Sequence, residues 1–453
     1  MTTTLERTPA AARAHWIDDW RPEDRQFWDG GGDRVAYRNL VFSVLSEHIG
    51  FSVWTMWSVL VLFLGPRYGF APADKFLLTI VPALVGSVLR LPYTFAVAKF
   101  GGRNWTVVSA LLLLIPLAVT LVVLKPGVSL STLLIVAGLA GVGGGNFASS
   151  MTNINAYYPD RLKGRALGIN AGGGNLGVPV VQLVGLLVLA TAGVTHPRLL
   201  VAIYLPLVVL AAALAWLRMN NLTAARNDRR AMRDVCRDPH TWVMSLLYIG
   251  TFGSFIGFSF AFGQVLQVQF KSDFPTPIDA AYLTFLGPLL GSLVRPIGGL
   301  MADRWGGAKV TACTFVAMAV GASLVLVASG RHSLPLFVAA FTVLFVLSGI
   351  GNGSTYKMIP AVFRAKARRL AESGVDSAVS DREARRLSGA LIGIAGAIGA
   401  FGGVLVNVAF RQSFLSTGVG DNAYATFLGF YVVCVVVTWA VYLRPSPRRL
   451  AGV

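Results

Sequence analysis

Charge is what this sequence has least of. Of its 453 residues, 13% are charged, about half the roughly 25% that an ordinary soluble domain carries. A soluble enzyme of this length is thereby excluded. Acid is scarcer still, with 21 Asp and Glu against 39 Lys and Arg, a formal net charge of +18. Three cysteines (Cys236, Cys313, Cys434), without paired spacing, exclude a disulfide framework and a thiolate metal site. His15, His196, His240 and His332 fall in tails, loops or at segment ends. No acid–base or nucleophile set lies in the apolar interior, so no catalytic residue, metal or cofactor is expected. Residues 1–38 are mixed polar with no apolar core of a signal peptide. What is abundant is hydrophobicity: 55% of residues, with a mean hydropathy of +0.63. The composition is that of a helical protein crossing a lipid bilayer many times.

Apolar stretches of about 20 or more residues fall near 40–64, 74–98, 104–124, 129–157, 164–192, 199–217, 242–270, 278–301, 309–329, 333–362, 387–410 and 423–443. With both termini in the cytoplasm, 29 of the 39 Lys and Arg lie on the cytoplasmic side and 7 outside. That bias is the positive-inside pattern, so the basic excess orients the chain and implies no nucleic acid. The expected organisation is a tail (1–38), a six-helix half (39–217), a basic linker (218–241) with Arg218, Arg226, Arg229, Arg230, Arg233 and Arg237, a second six-helix half (242–444) and a tail (445–453). A second long basic loop is expected at 363–386, between spans 10 and 11.

The halves repeat each other. Arg90 is followed eleven residues later by Gly101-Gly102, and Arg295 eleven residues later by Gly306-Gly307. Gly141-Val-Gly143-Gly-Gly-Asn146 matches Gly349-Ile-Gly351-Asn-Gly-Ser354, and the run from Arg165 matches that from Arg386. Parallel six-plus-six repeats resemble the major facilitator architecture, an all-α integral membrane fold of 12 transmembrane helices in two pseudo-symmetric halves. The loop Asp303-Arg304-Trp305-Gly306-Gly307 also resembles that superfamily's short cytoplasmic motif, whereas Lys99-Phe-Gly-Gly-Arg103 lacks the acid.

Arg90, Arg295 and Lys357 are the basic residues within the spans, and Glu47 the acid. An intramembrane charge costs at least roughly 2.5–3.5 kcal/mol, which makes each a functional candidate. Nine residues at 1.5 Å each put both arginines about 14 Å from the cytoplasmic end, near the bilayer middle. Two accounts fit: each arginine is satisfied structurally by carbonyls or a carboxylate, or the pair holds an anion. A planar fork suits a flat oxyanion such as nitrate, nitrite or a carboxylate. Glycines 143, 144, 145, 172, 173, 174, 351, 353, 393 and 396 (Gly143 to Gly145, Gly172 to Gly174, Gly351, Gly353, Gly393, Gly396) permit close helix contacts that slide during a conformational change.

The chain resembles the nitrate/nitrite porters of the major facilitator superfamily over nearly its whole length, from Asp19-Trp-Arg-Pro-Glu-Asp24 to the last span. The most specific pieces are the Gly-rich signature 141–159, its counterpart Gly351-Asn-Gly-Ser-Thr-Tyr-Lys-Met-Ile-Pro360, and Tyr248-Ile-Gly-Thr-Phe252-Gly-Ser-Phe-Ile-Gly-Phe-Ser259. The resemblance implies nitrate or nitrite gripped by Arg90 and Arg295, with Phe147 and Phe252 stacking on the anion. It also implies Asn175 and Tyr248 hydrogen-bonding to the anion or the arginines. A monomer in the bacterial inner membrane, working by rocker-switch alternating access, follows from the same likeness.

Glu47, His48 and Lys357 depart from the pattern expected of an exchanger and are candidates for coupling to protons. Glu47 and Lys357 each have a structural alternative, in which they pair with one another or with groups near a helix end. An inside-negative potential opposes anion entry by about 2.3 kcal/mol per charge per 100 mV, so uptake needs either proton cotransport or exchange. Glu47-His48 inclines the expectation to proton-coupled uptake of nitrate, with nitrate/nitrite exchange the alternative. A carrier for another small anion would also use paired arginines, without reason to match both Gly-rich signatures.

Overall fold

A computed structural model describes residues 15–223, 228–274, 276–445, 450 and 453. Residues 1–14 of the tail, Arg226 of the linker and most of the last tail therefore lie outside the described residues. Among the described residues, twelve helices are long and apolar enough to cross a membrane: α1 (Arg25–Phe63), α2 (Pro72–Phe100), α3 (Gly102–Val123), α4 (Leu130–Tyr157), α5 (Asp160–Ala192), α6 (Pro197–Arg218), α7 (Pro239–Gln269), α8 (Ile278–Trp305), α9 (Gly307–Gly330), α10 (Leu334–Glu372), α11 (Ser377–Thr417) and α12 (Asp421–Leu443). Their starts carry the local signals that satisfy free N–H groups. Asp24 accepts from the backbone of Gln26 and Phe27, and Ser129 from that of Thr132. Asp279 accepts from Thr276 N at 3.0 Å.

Two departures from the expected boundaries have local causes. Helix α1 begins at Arg25, well before residue 39, but it breaks at Gly31, whose φ of 131° only glycine adopts readily. The regular crossing then runs from Asp33. The stretch expected as a basic loop at 363–386 is instead mostly helix: α10 continues to Glu372, and α11 starts at Ser377. Ala, Arg, Leu and Glu favour helix there, and Asp376 caps the new start by accepting from Ala378 and Val379 N.

The described parts of the linker are also structured. Residues Trp16–Ile17 and Asn221–Leu222 form a short parallel pair, β1 with β2, and Thr223 Oγ1 donates to Asp18 Oδ1 at 2.6 Å. Trp20 Nε1 donates to the Tyr157 carbonyl at 3.2 Å, tying the tail to the end of α4. A linker helix, Arg229–Cys236, follows, capped by Asp228.

Across the halves, α2 lies against α11 and α5 against the start of α8. On the face opposite the linker the halves are sealed. Phe76 stacks on Phe414 at 5.5 Å and on Phe410 at 6.1 Å. Thr79 Oγ1 donates to Asn407 Oδ1 at 2.9 Å, and Gln264 Nε2 to the Pro72 carbonyl at 2.6 Å. On the linker face, a cavity of about 310 Å³ reaches inward between α2, α4, α10 and α11.

Single glycines turn the chain between α2 and α3 and between α8 and α9. Gly101 (φ 87°) and Gly306 (φ 92°) take nearly the same backbone conformation, so the repeat in sequence is a repeat in geometry. A side chain there is strained. At Gly101 a Cβ would also strike Asn221 Oδ1 of the linker; at Gly306 the nearest atom is 3.5 Å away. We expect Gly101→Ala and Gly306→Ala both to lower the thermal unfolding temperature of the purified protein. The loss at Gly101 should be the larger by about 1 kcal/mol or more. Equal losses would mean that Asn221 does not pack against this turn.

Candidate anion site

Burying a guanidinium in an apolar interior is costly unless its N–H groups find acceptors. Arg90, on α2, is fully buried. Its Nε donates to the Gly144 carbonyl at 3.2 Å and its Nη1 to the Gly396 carbonyl at 2.8 Å, while Nη2 has no partner. Gly396 belongs to α11, so this arginine reaches across the halves. Arg295, on α8, is 6% exposed. Its Nη2 donates to the Tyr248 hydroxyl at 3.3 Å, and its Nη1 has no partner. Among the described residues neither arginine is ion-paired to a carboxylate. Two buried cations face one interface with donors to spare.

Aromatic faces carry part of the missing counter-charge. The Arg90 guanidinium lies 4.6 Å from the Phe147 ring centre, 5.0 Å from Phe252 and 5.6 Å from Trp54, and ring faces attract cations. Phe252 stacks on Phe147 (6.1 Å, 25°) and on Tyr248 (5.3 Å, 18°). Tyr248 precedes, and Phe252 lies within, a wide π-helical turn, Ile249–Gly253, in α7. Such a turn adds a residue to the helical circuit and re-aims neighbouring side chains, a device frequent at functional sites. A continuous path thus runs from Arg90 through Phe252 and Tyr248 to Arg295.

Asn175, on α5, is buried with Oδ1 unpartnered. Among the described residues no hydrogen bond joins it to either arginine. Glu47 is buried on α1, where its carboxylate accepts from Ser150 Oγ and, at 2.7 Å, from Asn170 Nδ2; Oε1 has no partner. It lies within electrostatic reach of both Arg90 and Arg295. His48 Nδ1 sits 3.2 Å from the Gly173 carbonyl, which fixes the proton on that nitrogen because a carbonyl only accepts. Lys357 is not beside Glu47: its Nζ pairs with Asp303 at 2.7 Å, and its side chain is 38% exposed.

The glycines divide into two groups. A Cβ on Gly144 would come within 2.7 Å of the Gly86 Cα, and one on Gly145 within 2.8 Å of the Tyr93 ring. Gly143 would strike the Gly50 carbonyl, Gly173 the Val44 side chain, Gly174 the Glu47 carboxylate, Gly351 Thr251, and Gly353 the Arg295 carbonyl. Gly172 meets nothing, and Gly393 and Gly396 border the cavity with ordinary contacts.

That cavity runs from Arg90 and Phe147 to Arg385 and Arg386. Arg386 binds Asp228 of the linker at 2.5 Å, Asp234 at 3.0 Å and Glu383 at 2.7 Å. Arg385 reaches Asp160 of the other half at 3.3 Å. The Arg386 guanidinium holds the Asp228 carboxyl below its ordinary range. A collar of ion pairs therefore surrounds the linker-face end of the cavity.

Several contributors are visible only in three dimensions. Ser150 and Asn170 fold onto Glu47 from α4 and α5. Trp54 adds a face to Arg90, and Tyr356 lines the cavity with its ring 5.8 Å from the Arg295 guanidinium. Polar residues inside apolar spans were the available signal, but helical phase alone does not say which of them converge.

Known proteins share this framework. The family profile "Major Facilitator Superfamily" matches residues 48–405. The chain is 38% identical to the nitrate/nitrite transporter NarU of Salmonella typhimurium, over 96% of this chain and 97% of that one. It is 34% identical to the probable nitrate/nitrite antiporter NarK2 of Thermus thermophilus, over 97% and 99%. Among solved structures, a D-xylose–proton symporter aligns with a TM-score of 0.64, at 14% identity, over 89% of this chain and 97% of that one. That last likeness speaks for the fold alone. By profile, full-length similarity and architecture, the chain belongs to the nitrate/nitrite porter family of the major facilitator superfamily, a family of transporters and not of enzymes.

Proposed function

We propose that the chain carries nitrate and nitrite across the bacterial inner membrane by alternating access, the anion being held between Arg90 and Arg295. The carrying observation is the pair of buried guanidinium groups, each with an unpartnered Nη and neither ion-paired to a carboxylate among the described residues. A planar oxyanion supplies acceptors to both forks, and Phe147 and Phe252 offer flat faces beside it. A carrier for another small anion would use the same two cations but has no reason to match both Gly-rich signatures. The nitrate/nitrite transporter NarU and the probable nitrate/nitrite antiporter NarK2, as relatives, support the same anions.

In this reading both termini and the linker are cytoplasmic, in keeping with the Lys and Arg bias, and one chain suffices as the working unit. The aromatic seal around Phe76 and the cavity behind the Arg385–Asp160 pair then describe an inward-facing state. Rocking opens the first and closes the second. The glycine contacts of α2 with α4 and of α8 with α10 keep each half rigid, while Arg90's bond to Gly396 must yield as the halves part.

Proton-coupled uptake of nitrate is the preferred mode. Glu47 is a buried carboxylate within electrostatic reach of both arginines, so its protonation state and the anion's charge act on one another. Lys357, paired with Asp303, drops out of the coupling group and serves the cytoplasmic end of α8. His48, bonded through Nδ1 to the Gly173 carbonyl, braces α1 against α5. Exchange of nitrate for nitrite is the second reading, favoured by the antiporter name of the NarK2 relative.

Arg90→Lys and Arg295→Lys keep the charge but lose the fork. Each should lower nitrate uptake into proteoliposomes by about 100-fold or more, the loss expected of a broken charge-assisted bond in a buried site. Near-normal uptake in either would remove that arginine from the site. Glu47→Gln should abolish nitrate accumulation driven by an imposed proton gradient, yet preserve nitrate/nitrite exchange between loaded vesicles. If wild-type vesicles accumulate nitrate only when loaded with nitrite, the protein is an exchanger and Glu47 is a structural acid.

A further inference from the structure

Three buried donors around the site have no acceptor: Arg90 Nη2, Arg295 Nη1 and the hydroxyl of Tyr356. They come from α2, α8 and α10, three different helices in both halves. Tyr356 lines the same cavity as Arg90 and Phe147. Its ring centre lies 5.8 Å from the Arg295 guanidinium and 6.4 Å from the Tyr248 ring. A tyrosine placed only for packing would not need a hydroxyl, and a buried hydroxyl without a partner is costly.

We propose that Tyr356 donates a third hydrogen bond to the bound anion and favours nitrate over nitrite. The proposal rests on the reading of Arg90 and Arg295 as the anion clamp. Nitrate presents three equivalent oxygens in a plane, about 120° apart; nitrite presents two, and a nitrogen lone pair in place of the third. With one oxygen facing each arginine, only nitrate has a further oxygen for the phenol. When nitrite binds, the same hydroxyl stays buried with a poorer acceptor. A site built around a hydrogen bond rejects the analogue that cannot complete it far better than an apolar pocket rejects a smaller ligand.

Glu47 Oε1 is the competing acceptor, since it too is unpartnered and lies within electrostatic reach of Tyr356. A phenol committed to Glu47 would leave anion preference alone and change coupling instead. The two roles separate in a binding measurement that needs no turnover.

The test is calorimetric titration of the full-length detergent-solubilised protein with nitrate and with nitrite, for the wild type, Tyr356→Phe and Tyr356→His. We expect Tyr356→Phe to weaken nitrate binding about tenfold, the usual size of one lost hydrogen bond to a charged group, and nitrite binding less than about twofold. Tyr356→His, which keeps a donor, should recover part of the nitrate preference. Equal weakening for both anions, or none for either, overturns the assignment; so does an altered proton coupling with unchanged affinities. Should equal weakening come with a lower unfolding temperature of the anion-free protein, the ring is a packing element. A wild type that binds neither anion instead overturns the clamp on which the assignment stands.

Discussion

Two guanidinium groups held in an apolar interior, neither ion-paired to a carboxylate among the described residues, set the terms for the rest of the molecule. Arg90 cannot shed its charge at any ordinary pH, so the surrounding helices must receive it. They do so with backbone carbonyls from Gly144 and Gly396 and with the faces of Phe147, Phe252 and Trp54. Those acceptors come from both halves. The electrostatic requirement of one side chain is thus also a contact between the two halves.

The glycine content follows from the same requirement. For the Gly144 carbonyl to reach Arg90, α4 must approach α2 closely, and at that crossing Gly86 and Gly144 face each other with no room for a Cβ. In the other half the carbonyl of Arg295 itself lies where a Cβ on Gly353 would stand. Without a hydrophobic force between helices in lipid, close backbone packing of small residues holds each half together. Membrane insertion, the arginines and the glycines are three expressions of one arrangement.

Much of this was legible in the residues because lipid imposes strict rules. Twelve apolar stretches, the spacing from Arg90 to Gly101 and from Arg295 to Gly306, and the scarcity of charge lead to the twelve-helix, two-half architecture, while the Gly-rich signatures carry the likeness to the family. Charge inside an apolar stretch likewise marks Arg90, Arg295 and Glu47. Lys357, marked by the same rule, takes its structural alternative: its long side chain extends to Asp303 near the end of α8 instead of to the interior acid. The 363–386 segment read as a loop because it is polar, but polarity marks exit from lipid, not loss of helix. Ser150, Asn170 and Tyr356 stayed hidden for a different reason. Each is one polar residue among several on its helix, and only tertiary packing decides which of them meet.

The two ends of the interior are bordered by unlike materials. On the face away from the linker, Phe76, Phe410 and Phe414 stack in a sealed apolar cluster. On the linker face, Arg385 and Arg386 meet Asp160, Asp228, Asp234 and Glu383, largely in contact with solvent. Dissolved ions screen exposed charge pairs over a distance of about 8 Å at physiological ionic strength, whereas stacked rings are indifferent to that screening. Raising ionic strength therefore loosens one door and leaves the other as it was. The contact between the halves therefore carries a sensitivity to ionic strength that belongs to one face of the molecule alone.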